Sequence, residues 1–114
     1  MKIYVDGIDV ECIIGDLQRE REAPQLVKVD VVLEVPDRAA ESDDIADTAD
    51  YAAVAERARS ALASARCRLV EAAAGVVARA CMEFPAVAGV VARVTKRGAV
   101  PGVESVTAEA CLRR

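Results

Sequence analysis

The stretch Gln25–Val35, with the sequence QLVKVDVVLEV, is the clearest structural signal in this chain. From position 27 onward its odd-numbered positions are all aliphatic, whereas Lys28, Asp30 and Glu34 occupy positions between them. An alternation with a period of two predicts a β-strand that buries one face and leaves the other in water. Such a strand needs partner strands beside it and a second layer over its apolar face.

Three further segments are predicted to be strands. Lys2–Ile14 alternates on both sides of Asp6-Gly7, which predicts one strand interrupted there by a turn or bulge. Ala88–Lys96 and Gly102–Leu112 also have strand character, and the glycine and proline of Arg97–Pro101 between them predict a hairpin connection. Two predicted strands therefore lie toward each end of the chain.

Two amphipathic helices are predicted between these pairs of strands. Apolar residues recur every three to four positions along Tyr51–Ala65 and again along Leu69–Phe84. Asp50 is the expected N-cap of the first helix, and Pro85 ends the second. The resulting order, ββααββ, predicts an α+β fold in which an antiparallel four-stranded sheet carries both helices on one face.

Two connecting segments are polar. Gly15–Pro24 contains the charged run Arg19–Glu22, which is typical of a solvated loop. Pro36–Asp50 is acidic and has no sustained apolar period. Both segments are therefore predicted to be connections.

The outer strands of the predicted sheet favour self-association. An open sheet leaves unpaired backbone N–H and C=O groups along both edges, and neither outer strand is blunted by proline or by an inward-pointing charge. Pairing with further copies of the chain until the sheet closes into a barrel would satisfy these groups. We therefore expect residues 1–114 to form one domain that assembles into a homo-oligomer.

Composition excludes several classes of function. Fifteen Lys and Arg against nineteen Asp and Glu give a formal net charge of −4 without a basic run, so nucleic acid is not an expected partner. No window approaches the roughly 18 apolar residues of a membrane span, and the start of the chain lacks the pattern of a signal peptide, so a cytoplasmic protein is expected. Four cysteines without the spacing of zinc ligands are expected to be buried reduced thiols: Cys12, Cys67, Cys81 and Cys111.

The chain contains no histidine, which restricts its chemistry further. Ser-His and Cys-His catalysis, His-ligated zinc and imidazole proton transfer are excluded, so general acid and base roles fall to Lys, Tyr, Asp or Glu. Glycine-rich phosphate loops are also absent. The sequence therefore predicts neither a metal site nor a nucleotide cofactor.

Four motifs together resemble the dihydroneopterin aldolase family. They are Ile14-Gly15 five residues before Glu20, Ser42-Asp43-Asp44-Ile45-Ala46-Asp47 followed by Asp50-Tyr51-Ala52, Leu69-Val70-Glu71, and Lys96-x-Gly98-Ala99-Val100. They occur in the family's order and at its spacing, and the resemblance covers nearly the whole chain. It implies the tunnelling fold, in which ββααββ units from four subunits close a barrel, often as two stacked rings in an octamer.

The resemblance also implies a reaction. In 7,8-dihydroneopterin the bond between C1′ and C2′ of the side chain is broken in a retro-aldol step of folate biosynthesis, which yields 6-hydroxymethyl-7,8-dihydropterin and glycolaldehyde. The N5=C6 imine of the dihydropterin ring accepts the electrons released by this step. Neither a lysine Schiff base, a metal nor a cofactor is then required.

Site residues follow from the same resemblance. Glu71 corresponds to the glutamate that accepts hydrogen bonds from the pterin amino group and ring N3, with Leu69 and Val70 beside it in the substrate-binding segment. Lys96 corresponds to the catalytic lysine that manages the hydroxyl proton. Tyr51 corresponds to a phenol that contacts the substrate and transfers a proton.

One further catalytic residue and the placement of the site are also implied. Glu20 corresponds to the loop carboxylate near the lysine. Because Tyr51 is expected from a neighbouring subunit, the resemblance implies interface active sites in a tetramer or octamer.

Alternative functions remain open at this point. Epimerisation at C2′ of dihydroneopterin, of dihydromonapterin or of a triphosphate uses the same groups, and Arg97, in place of the proline common in the family, puts a cation next to Lys96 that would suit a phosphorylated substrate. A family member that serves methanopterin synthesis and a non-catalytic pterin-binding ring are two further alternatives.

Overall fold

The computed structural model describes all residues from Met1 to Arg114. It contains a single four-stranded sheet in which each strand is antiparallel to its neighbours and the spatial order equals the chain order. The strands are β1 (Lys2–Cys12), β2 (Gln25–Glu34), β3 (Gly89–Arg97) and β4 (Ser105–Arg113). The helices are α1 (Gln18–Glu22), α2 (Ala39–Ser42), α3 (Tyr51–Ala65) and α4 (Val70–Cys81), with a 3₁₀ turn at Ile45–Asp47.

The predicted ββααββ order is confirmed, with differences at the connections. The two polar segments contain α1, α2 and the 3₁₀ turn, which are too short to give a periodic signal. Strand β4 begins at Ser105 instead of Gly102, because the preceding segment turns at Gly98 and Gly102, both with positive φ. The β3–β4 connection is therefore longer than the predicted hairpin.

The bulge predicted at Asp6-Gly7 is confirmed and keeps β1 in register with the core. Val5 pairs with Val31 and Ile8 with Val29, so two residues of β1 lie opposite Asp30 alone. Gly7 adopts φ +72°, and its N–H donates to the Asp30 carboxylate at 2.7 Å. The extra residue preserves the inward direction of the aliphatic side chains on both sides of the bulge.

The core lies between one face of the sheet and helices α3 and α4. Asp50 caps α3 as predicted, since its carboxylate accepts hydrogen bonds from the N–H groups of Ala52 and Ala53. Helix α4 begins at Val70 and ends at Cys81, which is shorter than the predicted span. Its buried face consists mainly of small residues: Ala73, Ala74, Val77, Ala78, Ala80 and Cys81.

The helical period in Leu69–Phe84 predicts a buried stripe that includes Ala72 and Val76 but not Ala74 or Ala78, and the structure corrects these positions. Ala72 is exposed and Val76 is only partly buried, whereas Ala74 and Ala78 are fully buried. In an alanine-rich helix the apolar stripe runs nearly all the way round, so its pattern does not define which side packs on the sheet.

The other face of the sheet carries no helix. It presents Tyr4, Val32 and Val91 together with ion pairs such as Arg93–Glu109. The outer edges of β1 and β4 have no partner strand within the chain. None of the helices combines the length and the apolar character needed to cross a membrane.

The isoleucine before the α1 segment offers a test of the core. Ile14 is 0 % exposed, so Ile14→Val is expected to lower the free energy of unfolding by about 0.5–1.5 kcal/mol through the lost methylene. Ile45, which is 64 % exposed, provides the same substitution outside the core, with an expected change within about 0.5 kcal/mol. Urea unfolding at one protein concentration measures both; equal losses would contradict the assignment of Ile14 to the core.

Candidate active site

Lys96 is the one charged residue among the buried side chains. It occupies the penultimate position of β3, on the same face as Ala92 and Val94, and is 8 % exposed. Alternation along the strand therefore points its side chain into the helix-covered side of the sheet. A buried ammonium group requires a partner of opposite charge or several hydrogen-bond acceptors.

Glu20 provides that partner from helix α1. The Lys96 ammonium donates to Glu20 Oε2 at 2.5 Å, and the two side chains are only 10 % and 13 % exposed. Gln25 Nε2 donates to the same oxygen at 3.0 Å, and the Leu17 N–H donates to Oε1 at 3.3 Å. The hydrogen bond from Lys96 is the main cause that lowers the pKa of Glu20 below its ordinary value of 4.5.

These contacts correct the prediction of a solvated loop at Gly15–Pro24. Glu20 and Arg21, from the centre of the charged run, are partly buried and hydrogen-bonded to other segments. Gln25 is a site residue that sequence reasoning missed: its amide donates to Glu20 and also to the Ile14 carbonyl at 2.7 Å. The available signal was a polar residue at an odd-numbered position of this strand, where every later odd-numbered position is aliphatic.

Gly15 allows the Glu20 carboxylate to reach Lys96. Its φ is +126°, a conformation that L side chains rarely adopt. A Cβ at this position would overlap the carboxyl group of Glu20. The glycine in the Ile14-Gly15 motif is therefore required by the close approach of Glu20 to the backbone.

The lowered pKa of Glu20 predicts a pH dependence of stability. A carboxyl group whose pKa falls on folding stabilises the protein above its ordinary pKa, and this contribution is lost as the pH falls through the folded-state value. Glu20→Gln should therefore be less stable than the wild type at neutral pH, with a difference that shrinks below pH 4.5. Urea unfolding between about pH 7 and pH 3 measures this. Glu22→Gln, an exposed neighbour on α1, is the control, and a pH-independent difference for Glu20→Gln would contradict the assignment.

The segment Leu69-Val70-Glu71 lies at the same end of the molecule as Lys96. Strand β3 follows α4 and returns along it, so the start of α4 lies near the end of β3. The Gly15 N–H also donates to the Cys67 carbonyl at 3.1 Å, which joins the α1 segment to the residues just before α4. Leu69 is 52 % exposed and Glu71 is exposed, so both are available for contact.

Tyr51 is not brought to this end of the molecule. It is the first residue of α3, whose last residue, Ala65, leads into the segment before α4. Fifteen residues of helix span about 22 Å, which separates Tyr51 from the Lys96–Glu20 pair within one chain. Its side chain is 57 % exposed and therefore available to another molecule.

Arg97 lies on the opposite face of the sheet from Lys96. It follows Lys96 directly in β3, so strand alternation reverses its direction. There it lines an open depression with Asp9, Lys28 and Thr95. The prediction that Arg97 places a cation next to the Lys96 amine is wrong.

Glu20, the partner of Lys96, lines a shallow depression of about 250 Å³. Arg19 and Gln25 also line it, together with Gly98 and Ala99 from the β3–β4 connection. The motif residues after Lys96 therefore form a wall of the same depression that contains its partner.

Metal-binding geometry is absent from the described chain. No cluster of three or more Cys, Asp or Glu side chains is arranged to hold a metal ion. Cys12, Cys67 and Cys81 are buried, and burial raises the pKa of the Cys12 and Cys81 thiols to about 11. Cys111 is exposed on the open face of the sheet, which corrects the expectation that all four thiols are buried.

Comparison with known proteins places the chain in a family. The family model described as FolB: Dihydroneopterin aldolase matches residues 3–111. A Vibrio cholerae structure assigned as dihydroneopterin aldolase (FolB) is 32 % identical with a TM-score of 0.92, and the match covers 100 % of this chain and 98 % of the other. Escherichia coli dihydroneopterin aldolase, solved with neopterin, is 29 % identical with a TM-score of 0.90 over 98 % of both chains.

A more distant structure supports the fold alone. A Burkholderia dihydroneopterin aldolase bound to guanine is 22 % identical with a TM-score of 0.82, covering 100 % of this chain and 91 % of that one. No curated protein sequence matches the chain. The four-stranded sheet with its helices on one face is thus the tunnelling fold of these structures.

Proposed function

This chain belongs to the dihydroneopterin aldolase family, and we propose that it uses Lys96 and Glu20 as the proton-handling pair of the family's retro-aldol cleavage. The reaction converts 7,8-dihydroneopterin into 6-hydroxymethyl-7,8-dihydropterin and glycolaldehyde. The observation that carries the proposal is the buried contact of 2.5 Å between the Lys96 ammonium and the Glu20 carboxylate.

The substrate supplies its own electron sink. Removal of the 2′-hydroxyl proton turns C2′ into the aldehyde carbon of glycolaldehyde as the C1′–C2′ bond breaks. The bonding electrons move through C1′ and C6 onto N5, and a proton added at C1′ then restores the N5=C6 imine. One proton leaves and one returns, so the step needs no oxidant, metal or other cofactor.

Lys96 and Glu20 are suited to move these protons. The Lys96 amine is shielded from bulk water and bonded to a carboxylate whose pKa is lowered, which keeps Glu20 ionised at neutral pH. An amine held in this way exchanges a proton with a substrate hydroxyl directly or through one water molecule. Glu20 accepts a hydrogen bond from the amine and so fixes its orientation.

Glu71 is proposed to hold the pterin ring. A carboxylate offers two acceptor oxygens to the amino group and N3–H of the ring, which form two parallel donors. Leu69 and Val70, just before it, supply apolar surface against the flat heterocycle. This recognition is independent of the side chain that is cleaved.

A second copy of the chain is proposed to complete the site. The unpaired edges of β1 and β4 favour strand pairing between copies, which closes the sheet into a ring of a tetramer or, with two rings, an octamer. Tyr51, distant from Lys96 within one chain, then reaches the site of a neighbour. Its phenol is the proposed donor or acceptor of the proton at the substrate side chain.

Incubation of the purified protein with 7,8-dihydroneopterin, followed by chromatography, tests the function. Formation of 6-hydroxymethyl-7,8-dihydropterin and glycolaldehyde in equal amounts is expected. Accumulation of dihydromonapterin alone would indicate C2′ epimerisation instead, and an unchanged substrate would indicate a pterin-binding ring without catalysis.

A further inference from the structure

Arg21 makes an unusual set of contacts next to the proposed site. Its Nη1 donates to the carbonyls of Gly15 and Cys67, each at 3.1 Å, and its Nη2 donates to the carbonyl of Arg66 at 2.9 Å. All three acceptors are backbone groups, and no carboxylate pairs with the guanidinium. The Arg21 guanidinium therefore uses its donors to bind backbone carbonyls and not a carboxylate.

The three acceptors belong to two segments that carry different parts of the site. Gly15 packs against the carboxyl group of Glu20. Arg66 and Cys67 lie between α3 and α4, shortly before Leu69. One guanidinium thus joins the segment that carries the acid partner of Lys96 to the segment that leads into Glu71.

Helix α1 has little else to fix its position. It has five residues and none of them is buried, so hydrophobic packing does not hold it. Its links to the rest of the fold are polar: the Glu20 contacts with Lys96 and Gln25, and the Arg21 contacts. Without Arg21, α1 itself keeps only the contacts of the Glu20 carboxylate, while the residues just before it keep the Gly15–Cys67 backbone hydrogen bond and the Arg68–Asp16 ion pair.

We propose that Arg21 is a positioning residue for the aldolase reaction, which holds the Glu20 carboxylate in register with Lys96 by fixing α1 to the segment before α4. The proposal rests on the proposed function of the Lys96–Glu20 pair. Arg21 itself contacts neither Lys96 nor the depression beside it.

A double-mutant cycle separates positioning from a general structural role. The kcat and KM for 7,8-dihydroneopterin are measured for the wild type, Arg21→Ala, Glu20→Ala and the double variant. Arg21→Ala is expected to lower kcat by roughly 10- to 100-fold, as a misplacement of about 1 Å does, with a smaller effect on KM. In the Glu20→Ala background, the same change should lower kcat less than about twofold, because no carboxylate remains to be positioned.

Two further variants control the cycle. Gln18→Ala truncates another side chain of the same helix, and Gln18 bonds only Glu22 within α1 and does not line the depression, so near wild-type kcat is expected. Arg21→Lys, whose single ammonium cannot match the geometry of three carbonyls, should give an intermediate kcat. If Arg21→Ala does not fold, Arg21→Lys takes its place in the cycle under the same criterion.

The outcomes are distinct. Wild-type kcat in Arg21→Ala, or equal losses in both backgrounds, would overturn the positioning role while the proposed function stands. An inactive wild type, or normal turnover by Glu20→Ala, would reject the proposed function of the pair, and the inference with it. The inference is supported if Arg21→Ala lowers kcat in the protein that retains Glu20 but not in the Glu20→Ala protein.

Discussion

Lys96→Ala is expected to lower kcat for 7,8-dihydroneopterin by roughly 100- to 10,000-fold, the range that a general acid or base contributes. The amine is buried against Glu20 at the end of β3, and no other cation contacts that carboxylate. Pterin binding should be retained, because Glu71 is unchanged. Steady-state kinetics together with binding of 6-hydroxymethyl-7,8-dihydropterin separates the two effects.

The fold should survive this substitution. Glu20 keeps the hydrogen bonds from Gln25 and from the Leu17 N–H. Lys28→Ala is the matched control, since Lys28 is a strand lysine on the opposite, exposed face of the sheet. Normal turnover by a folded Lys96→Ala protein would show that the amine is not the proton-handling group.

Glu71→Ala is expected to have the second large effect, on binding rather than on turnover. Two hydrogen bonds to a charged acceptor are lost, and a loss of about 3 kcal/mol corresponds to roughly 150-fold weaker pterin binding. The dissociation constant of 6-hydroxymethyl-7,8-dihydropterin, measured by calorimetry, should rise by about this factor, while kcat at saturation changes far less.

Glu83→Ala controls for the loss of one acidic side chain near α4. Glu83 is exposed beyond the other end of the helix and pairs with Arg57. The Glu83→Ala protein should bind the pterin with the affinity of the wild type. Equal affinities for the Glu71→Ala and wild-type proteins would remove Glu71 from the pterin site.

Much of the fold was predictable because the relevant signals are local. The alternation in Gln25–Val35 defines the inner strand β2, Asp50 caps α3, and Asp6-Gly7 marks the bulge in β1. Each of these depends on residues that are close in sequence. Given the order of strands and helices, few topologies bury the apolar face of the sheet against the apolar faces of the two helices.

The geometry of the site was not predictable in the same way. Lys96 and Glu20 are 76 residues apart, and nothing local shows that the loop folds back to pair them. The run Arg19–Glu22 has the composition of a solvated loop, yet two of its side chains are held by backbone and side-chain partners. The family motifs predicted Glu20 as a candidate, whereas its contact with Gln25 and the contacts of Arg21 required the structure.

Arg97 shows that neighbouring positions in the sequence need not lie near each other in the fold. Its position next to Lys96 in the sequence suggested an effect on the amine, but adjacent residues of a strand point to opposite faces. Because β3 extends through Arg97, this side chain lies on the other face of the sheet from Lys96. It therefore no longer supports the alternative of a phosphorylated substrate. Whether a residue affects its neighbour in the sequence therefore depends on whether the strand includes both of them.

Sharing of one site between two copies of the chain is tested most directly by mixing two impaired variants. Lys96→Ala and Tyr51→Phe are produced together in one cell, so that copies assemble at random into common oligomers. If Lys96 and Tyr51 of different copies serve one site, about a quarter of the sites receive both intact residues, and activity rises to about a quarter of the wild-type value. Activity no higher than the average of the two variants alone would contradict a shared site.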